Sequence, residues 1–498
     1  MTYELHRLGI DTSAEHVAFL SADELLCQCL GLHPLDRVEI ASGERRVLAI
    51  LNGVTSDLLP LGTVGVSDAA FRHLGVADGD PVEVRPADPP GSSEVIRRKV
   101  AGEPLAANAI DTLVRDIAEG RHSKVELTAF VVASTIHGLS NEEVLGLIRA
   151  TVAGGQRLQW DAEVVADKHS IGGIPGNRTT PIVVAIAAAA GLTVPKTSSR
   201  AVTSPAGTAD TMETLMDVTL PPERLREVVA AAGACLAWGG AFKLAPADDV
   251  LIQVERPLAI DCEGLMLSSI LAKKVAAGAT HVVIDIPVGR GAKVTDGVAA
   301  RRLAKRFTEL AAPLSLTVSI EISEGRGPVG RGVGPALEAR DVLAVLRGDP
   351  AAPADLRIKG IALAGRLLES AGTAAAGRGA DRAAALLESG AAYERFELIR
   401  DLQGRRELPA PGQATFEWRA RGAGRVDGIS NAAIGRAARL AGAPRDVRAG
   451  IDLLVAVGDE VSAGDALFRV HSQSPVTLGF AVDYLQGRTA DPVEVVPA

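Results

Sequence analysis

Hydrophobic and polar residues alternate over short distances in residues 1–85. The stretches 46–51 and 81–85 are the clearest examples, and a spacing of two is typical of β-strands with one buried face. Proline, glycine and serine then dominate residues 86–93, and this composition predicts a linker. We therefore predict an N-terminal β-rich domain over residues 1–85.

The apolar positions change to helical spacing from about residue 94. Ile110, Leu113, Val114 and Ile117 recur at intervals of three and four, which places them on one helix face. Further along, Ser140-Asn-Glu-Glu143 has the spacing of a capping box ahead of another apolar stripe. We predict a helical domain over 94–160, to which about 246–276 returns.

Apolar runs and alanine-rich helical segments alternate between residues 161 and 408. This alternation is typical of α/β domains, and we predict strands at 163–166, 281–286 and 316–322. Prolines within 404–412 mark a boundary before a last domain, 413–498. Its two Gly-Asp turns, at 458–459 and 464–465, resemble those of biotinyl or lipoyl hammerheads. No lysine occupies a carrier turn, so we interpret this domain as structural.

The predicted fold class is therefore α/β and multidomain. Its parts are an N-terminal β-rich domain, a helical domain, a large α/β domain with a mixed sheet, and a C-terminal α+β (hammerhead-like) domain.

Composition and charge narrow the classes of function. The 498 residues are 47% hydrophobic and 23% charged, with a net charge of −9 and 3% aromatic residues. An acidic chain with few aromatics does not favour nucleic acid as a partner. Cys27 and Cys29 lack a second half-site, so we expect no metal and no other cofactor. No signal peptide and no membrane span is evident, which predicts a cytoplasmic protein.

The segment 167–180 carries the strongest chemical signal. It is rich in glycine and lies between a predicted strand and a predicted helix, where backbone N–H groups can approach an anion. Lys168 adds a positive charge, and Ser170 and Thr180 add hydroxyl donors. Thr180-Pro181 has the residue types preferred at a helix N-terminus, with Thr180 as the cap. We predict an oxyanion site here, although the segment does not match a P-loop.

Three further segments carry polar residues next to predicted strands and helices. Lys196 to Thr208 is a second turn rich in hydroxyl groups and cations, and Lys293 lies on another loop after a strand. Asp261 precedes a helix at the expected cap position. Ser269 and Lys273 are four residues apart on that helix and share a face.

These motifs, in this order, resemble the thymidine/pyrimidine-nucleoside phosphorylase family. The family signature is Ser-[Gly/Ser]-Arg-[Gly/Ala]-aliphatic followed by Gly-Thr-x-Asp. Here it reads Ser198-Ser199-Arg200-Ala201-Val202 and then Gly207-Thr208-Ala209-Asp210. Lys168-His169-Ser170 matches the phosphate motif and Ser269-Ile-Leu-Ala-Lys273 the base-contacting helix. The resemblance covers residues 94–498.

Four departures from the classical thymidine phosphorylases resemble the AMP phosphorylase branch, also called type 2 thymidine phosphorylases. The first turn contains Pro175-Gly176-Asn177-Arg178, one residue longer than usual. Ala201-Val-Thr-Ser-Pro-Ala206 replaces Gly-Leu-Gly-His-Thr-Gly. Arg256 is the nearest candidate for the pyrimidine-contacting arginine, and the first 85 residues are additional.

The resemblance implies roles for individual residues. Asp261 is the implied proton donor, and His169 is a second candidate for contact with sugar or phosphate. The implied inorganic-phosphate site consists of Lys168, Ser170, Thr180, Ser198 and Thr208. The implied nucleotide site consists of Gly173, Ser199, Arg200, Ala201, Val202, Thr203, Ser204, Thr208, Ser269, Lys273 and Lys293.

The resulting hypothesis is phosphorolysis of nucleoside 5′-monophosphates, with AMP and also CMP or UMP giving free base and ribose 1,5-bisphosphate. Thr203 and Ser204 would offer donors to a 5′-phosphate, and Arg200 would pair with it bidentately. One alternative is thymidine phosphorylase, which forms thymine and 2-deoxyribose 1-phosphate. Another is a non-catalytic, nucleotide-sensing assembly protein. The resemblance also implies a homodimer or larger homo-oligomer.

Overall fold

The computed structural model describes residues 1–13, 15–23, 32–201 and 204–497. Cys27, Cys29, Val202 and Thr203 lie outside the described residues. The chain divides into two units. Unit 1 comprises Met1–Gly155 and Ala245–Ala272, and unit 2 comprises Gln156–Leu244 and Lys273–Ala498.

Six strands near the N-terminus of unit 1 close into a barrel in the order β1-β5-β2-β4-β3-β6. Alternate side chains, such as those of Val38 and Ile40, are buried inside the barrel, which confirms the predicted β-rich character of this part of the chain. The strands are β1 Thr2–Arg7, β2 Val17–Ser21, β3 Arg37–Ser42, β4 Arg45–Val54, β5 Thr63–Val66 and β6 Pro81–Pro86, with helix α1 at Asp68–Leu74.

The remainder of unit 1 is helical, as the periodicity predicts. Ile110, Leu113, Val114 and Ile117 are all buried on one face of their helix. Ser140 caps the helix Asn141–Ala153, and both hydrogen bonds of the capping box are present. The helices are α2 Ser93–Val100, α3 Ala107–Ala118, α4 Lys124–His137, α5 Asn141–Ala153, α9 Pro246–Leu258 and the first part of α10 Glu263–Ala276.

Parallel strands form the framework of the α/β part of unit 2. Strand β10 pairs in parallel with β11 on one side and β7 on the other, and β8 pairs in parallel with β9. A single parallel bridge, Val165 to Thr193, connects the residues preceding β7 and β8. These strands are β7 Ala166–Ser170, β8 Val194–Ser198, β9 Ala234–Trp238, β10 His281–Val288 and β11 Thr317–Glu324.

Helices pack around these strands, and the most apolar of them, α6, is buried along almost its whole length. Its alanines and β-branched residues belong to an extended hydrophobic cluster of unit 2. The helices are α6 Thr179–Ala189, α7 Thr208–Glu213, α8 Pro222–Ala232, α11 Gly297–Ala311, α12 Pro335–Arg347, α13 Ala354–Ser370, α14 Gly379–Glu388 and α15 Ala391–Leu402.

The C-terminal part of unit 2 contains two small sheets, ordered β12-β15-β17-β13 and β16-β14-β18. In the two predicted Gly-Asp turns, Asp459 accepts a hydrogen bond from the Ala456 N–H and Asp465 accepts one from the Ser462 N–H. The elements are β12 Gly332–Val333, β13 Ala414–Arg419, β14 Gly424–Ile429, α16 Asn431–Leu440, β15 Gly450–Leu453, β16 Glu460–Val461, β17 Ala466–Ser472, α17 Pro475–Gln486 and β18 Val493–Val496.

The multidomain α/β fold class is therefore confirmed. Within the described residues, no helix combines the length and the apolar character that crossing a bilayer requires.

Candidate functional site

Strand β7 carries the polar residues that the sequence places in a turn. The predicted strand 163–166 is displaced, since β7 starts only at Ala166 and continues to Ser170. The strand continues through charged residues because their side chains are buried against oppositely charged partners. Side chains alternate along a strand, so Lys168 and Ser170 point to one face, and Asp167 and His169 to the other.

Lys168 is the central cation of the first face. Its side chain is buried, with 1% of the residue exposed, and its Nζ donates to the Thr180 hydroxyl at 3.3 Å. Burial lowers the pKa of the Lys168 ammonium group to about 7; the Asp285 carboxylate opposes this shift and the Lys359 ammonium group adds to it. In the absence of a ligand, the protein therefore leaves this cation incompletely compensated.

Asp285 organises the polar groups next to Lys168. Its carboxylate accepts hydrogen bonds from Asn177 Nδ2 at 3.0 Å and from the Ser323 hydroxyl at 2.5 Å. Lys359 Nζ lies 3.1 Å from the same carboxylate. These partners hold the pKa of Asp285 below its usual value although burial acts in the opposite direction. The Asn177 amide also donates to the Ser170 hydroxyl at 3.3 Å.

The opposite face of β7 holds a second buried network. Asp167 pairs with Lys196 Nζ at 2.9 Å and with Lys274 Nζ at 2.7 Å. Burial lowers the pKa of Lys274 to about 7, although Asp167 opposes that shift. Burial, together with the neighbouring ammonium groups, holds the pKa of His169 well below its usual value. The His169 imidazole is therefore neutral at physiological pH.

The turn after β7 is built on glycines in the left-handed region. Gly172, Gly173 and Gly176 have φ angles of 87°, 90° and 71°. A Cβ added at Gly173 would lie 3.0 Å from Lys293 Cγ, so the backbone of the turn lies directly against that lysine. The structure thus brings together two of the predicted nucleotide-binding residues. Lys293 itself is exposed.

The prediction that Thr180 caps the following helix is wrong. Helix α6 begins at Thr179, and Arg178 occupies the cap position without a side-chain cap hydrogen bond. Thr180 lies inside the first helical turn. Its hydroxyl accepts the hydrogen bond from Lys168 instead, so a tertiary contact determines the role of this side chain.

Arg178 connects the turn after β7 to the loop before α7. Its Nη1 donates to the Thr208 hydroxyl at 2.7 Å and its Nη2 to the Ala206 carbonyl at 2.9 Å. Its Nε donates to Glu338 at 2.6 Å. Glu338 also accepts from the Thr211 hydroxyl at 3.2 Å, and burial raises the pKa of this carboxyl group.

The loop before α7 is closed by Asp210. Its carboxylate accepts hydrogen bonds from the backbone N–H groups of Ala201 at 2.6 Å and Gly207 at 2.8 Å. Ser204 donates to the Ala206 carbonyl at 2.9 Å. At the end of β8, the Ser198 hydroxyl is buried and has no hydrogen-bond partner among the described residues, as expected of a group that awaits a ligand.

Arg200 is already paired in this structure. Its Nη2 donates to Glu213 at 2.8 Å, and its guanidinium lies 4.9 Å from the centre of the Trp238 ring. The hydrogen bond to Glu213 raises the pKa of Arg200 above its usual value, and the Asp210 carboxylate adds to this shift. A 5′-phosphate that pairs with Arg200 must therefore compete with the Glu213 carboxylate.

Two predicted residues, Asp261 and Ser269, belong to unit 1. Asp261 is exposed and precedes the first residue of α10 by two positions. The Ser269 hydroxyl donates to Asp248 at 2.8 Å, and Asp248 is buried. Lys273 follows on the same helix, at the first position assigned to unit 2.

Several buried polar residues of unit 2 are absent from the predicted set. The signals for Asp167, Lys196 and Lys274 were present, because each lies in or directly beside a quoted motif. Asp285 and Ser323 are polar residues at the apolar runs that become β10 and β11, and this position is a weaker signal of a functional site. Lys359 and Glu338 lie on helices more than 120 positions beyond the first turn, and nothing in their local sequence distinguishes them from surface residues.

Basic groups outnumber carboxylates around β7 and its turn. Three carboxylates are the partners of five buried or nearly buried basic groups. The basic residues are Lys168, Arg178, Lys196, Lys274 and Lys359, and the acidic residues are Asp167, Asp285 and Glu338. A buried cationic excess of this kind favours the binding of an anion.

Family models match three parts of the chain. Residues 93–155 match "Glycosyl transferase family, helical bundle domain", and residues 162–393 match "Glycosyl transferase family, a/b domain". Residues 425–488 match "Pyrimidine nucleoside phosphorylase C-terminal domain".

Curated relatives match almost the whole chain. A "Putative thymidine phosphorylase" of Albidiferax ferrireducens is 47% identical over 98% of this chain and 96% of its own. One of Polaromonas sp. is 48% identical over 96% of this chain and 94% of its own. The chain belongs to the pyrimidine-nucleoside phosphorylase family. As a member, it is a pentosyltransferase of the phosphorylase type. The substrates of this family are phosphate and nucleosides.

A solved structure supports the fold of this phosphorylase. Anthranilate phosphoribosyltransferase from Thermus thermophilus superposes with a TM-score of 0.53 at 21% identity. The match covers 62% of this chain and 98% of the other.

Proposed function

We propose that this phosphorylase acts on nucleoside 5′-monophosphates, with AMP as the first candidate substrate and CMP and UMP as further candidates. Inorganic phosphate would displace the base from C1′ of the ribose and yield free base and ribose 1,5-bisphosphate. The supporting observation is the excess of buried basic groups around β7, next to hydroxyl groups of the turn and of α6. We assign the attacking phosphate to Lys168, Ser170, Thr180, Ser198 and Thr208.

The proposed reaction forms a bond between a phosphate oxygen and C1′ while the C1′–N bond breaks. The electron pair of the broken bond leaves with the base. Positive charge develops on the ribose, and the phosphate held next to it stabilises that charge. The leaving base requires a proton, and the family resemblance assigns the donor to Asp261. The neutral His169 imidazole offers one N–H and one lone pair to sugar or phosphate.

A second polar loop supports a substrate that carries its own phosphate. The residues 198–208 add hydroxyl groups and Arg200 to those of the first turn, and Lys293 lies against Gly173. We propose that a 5′-phosphate takes Arg200 from Glu213, because a dianion competes well for a guanidinium. The nucleotide contacts that we propose are those of Gly173, Ser199 to Ser204, Thr208, Ser269, Lys273 and Lys293.

Base release decides the substrate class. AMP, CMP, UMP, uridine and thymidine are each incubated with and without inorganic phosphate, and ribose 1,5-bisphosphate is detected by phosphorus NMR. We expect phosphate-dependent release that is fastest with a monophosphate. Faster release from thymidine than from every monophosphate would contradict the proposal, and tight binding without any turnover would favour a sensor.

Two variants of the Arg200 pair sharpen this test. Arg200→Gln is expected to raise KM for AMP about tenfold while KM for inorganic phosphate stays unchanged, since a charge-assisted pair is lost. Glu213→Gln removes the competing carboxylate and is expected to lower KM for AMP. Arg224→Gln, which alters an exposed arginine that pairs with Glu227, serves as the matched control.

Thymidine phosphorylase is the second candidate, because the relatives reported above bear that name. The Arg200–Glu213 pair is compatible with this alternative, since a nucleoside brings no phosphate to exchange with the carboxylate. The substrate comparison above distinguishes the two. We further propose a homodimer or larger homo-oligomer in the cytoplasm, which light scattering of the purified protein and cell fractionation test.

A further inference from the structure

Three hydroxyl groups of the proposed phosphate site share one feature. Each accepts a hydrogen bond from a buried donor: Ser170 from Asn177 Nδ2 at 3.3 Å, Thr180 from Lys168 Nζ at 3.3 Å, and Thr208 from Arg178 Nη1 at 2.7 Å. Within the described chain, none of the three hydroxyls donates to a protein acceptor.

This arrangement determines the direction in which each hydroxyl proton can point. A hydroxyl group has one proton and two lone pairs. When a lone pair accepts from a fixed N–H group, the proton turns away from that donor and remains available to a ligand. A ligand that meets three such protons must present acceptors, as an ionised oxyanion does.

The donors are themselves held in place. Arg178 is fixed by Glu338 at 2.6 Å and by the Ala206 carbonyl at 2.9 Å. Asn177 also donates to Asp285 at 3.0 Å, and the carboxylate fixes the orientation of its amide. Neither amide nor guanidinium can offer a lone pair to the hydroxyl in these orientations. The buried carboxylates of Asp285 and Glu338 therefore fix the amide and the guanidinium as hydrogen-bond donors to the hydroxyls.

We propose that Asn177 and Arg178 are positioning residues that hold the Ser170 and Thr208 hydroxyls as donors toward the attacking phosphate. This inference rests on the proposed function, which places inorganic phosphate at these hydroxyls. Asn177 and Arg178 act through the hydroxyls and do not contact the reacting atoms. The same arrangement favours a ligand with several acceptor oxygens, such as an oxyanion, because a single ligand hydroxyl has only two lone pairs.

A double-mutant cycle tests the Arg178 half of the proposal. The dissociation constant of inorganic phosphate is measured by calorimetry, without nucleotide, for the Arg178→Gln variant, the Thr208→Val variant and the double variant. Each single change is expected to weaken phosphate binding about tenfold. The double variant is expected to bind clearly less than tenfold more weakly than Thr208→Val, since Arg178 acts mainly through a hydroxyl that is no longer present and otherwise only through its charge.

Arg340→Gln is the matched control. Arg340 is a partly buried arginine of the same unit, paired with Asp341 and Asp452 rather than with the hydroxyls. It is expected to lower Tm without changing phosphate affinity. The proposal is overturned if the two site substitutions multiply to about a hundredfold, or if Arg178→Gln lowers only Tm, as the control does.

A second double-mutant cycle tests the Asn177 half of the proposal with the Asn177→Ala and Ser170→Ala variants, and the same non-additivity is expected.

If Arg178→Gln does not fold, Arg178→Lys keeps a cation next to Glu338 and takes its place. Phosphate binding is measured without a nucleotide, so failure of the monophosphate assay leaves these results valid. Additive cycles in a protein that turns over AMP would overturn the positioning roles and leave the proposed function intact.

Discussion

Lys168 illustrates how a single residue carries a functional signal. Its ammonium group is buried next to more basic groups than carboxylates, and its pKa falls to about 7. A bound dianion favours the charged form and raises that pKa again. If Lys168 binds the anion as we propose, binding is coupled to the uptake of a proton, and the coupling becomes stronger as pH rises above 7.

Sulfate binding tests this coupling, because sulfate keeps the same charge from pH 6 to pH 9 while phosphate does not. We expect the sulfate dissociation constant, measured by calorimetry, to rise about tenfold per pH unit well above pH 7. The Lys168→Arg variant carries a guanidinium that does not titrate in this range, and its dependence on pH should be shallower. Equal slopes for the two proteins would contradict the assignment to Lys168.

Side chains near a motif were easier to predict than their partners. Lys168 and Ser170 stand in a recognisable motif, and both contribute to the buried network that contains Asp285. Lys359, by contrast, reaches Asp285 from helix α13. Its local sequence resembles that of any helix with one polar position, so only the tertiary contact reveals it.

Strand β7 and the turn after it show the same contrast at the scale of elements. Helices α3 and α5 follow the predicted pattern, because apolar periodicity and a capping box act within a few residues. Strand β7 instead runs through Asp167 and Lys168. Lys196 and Lys274 from other elements compensate the charge of Asp167, and Asp285 offsets only part of the charge of Lys168. Periodicity alone does not predict such a strand.

The glycine turn permits a sharp test of stability. Gly176 and Gly372 both have φ of 71°, yet a Cβ at Gly176 would lie 2.5 Å from the Val329 carbonyl oxygen, whereas at Gly372 it would meet no heavy atom within 4 Å. Gly372→Ala is expected to lower the free energy of unfolding by about 1 kcal/mol, the cost of a left-handed alanine. Gly176→Ala adds a steric clash and should cost about 2–4 kcal/mol. Urea denaturation of both variants measures the difference, and equal losses would mean that the turn adapts.

In the molecule as a whole, the buried excess of basic groups around β7 lies within unit 2. All eight charged residues of the β7 network lie in that unit, while the N-terminal barrel belongs to unit 1. The barrel has its own hydrophobic core, which includes Leu5, Val38 and Leu51. The barrel contributes no residue to this charged network, so we expect its core to keep its stability when an anion binds to unit 2.

Hydrogen exchange with and without inorganic phosphate tests this localisation. We expect phosphate to slow the exchange of amides in residues 170–180 and 204–210, because a bound ligand disfavours the local opening through which these amides exchange. Amides of β4 in the barrel serve as the internal control and should be unchanged. Protection confined to the barrel would place the anion in unit 1 and contradict the site.

The sequence by itself determined the order of the domains, the amphipathic helices of unit 1 and the family. These properties depend on interactions between residues close in the chain, or on motifs that keep their order. Tertiary structure alone decided the start of β7, the partners of Lys168 and Asp285, and the link from Arg178 to Thr208. Those contacts join residues up to 108 positions apart, such as Asn177 and Asp285. Burial makes an unpaired charge costly and its partners important for stability and binding. Burial is a property of the folded chain rather than of any local segment.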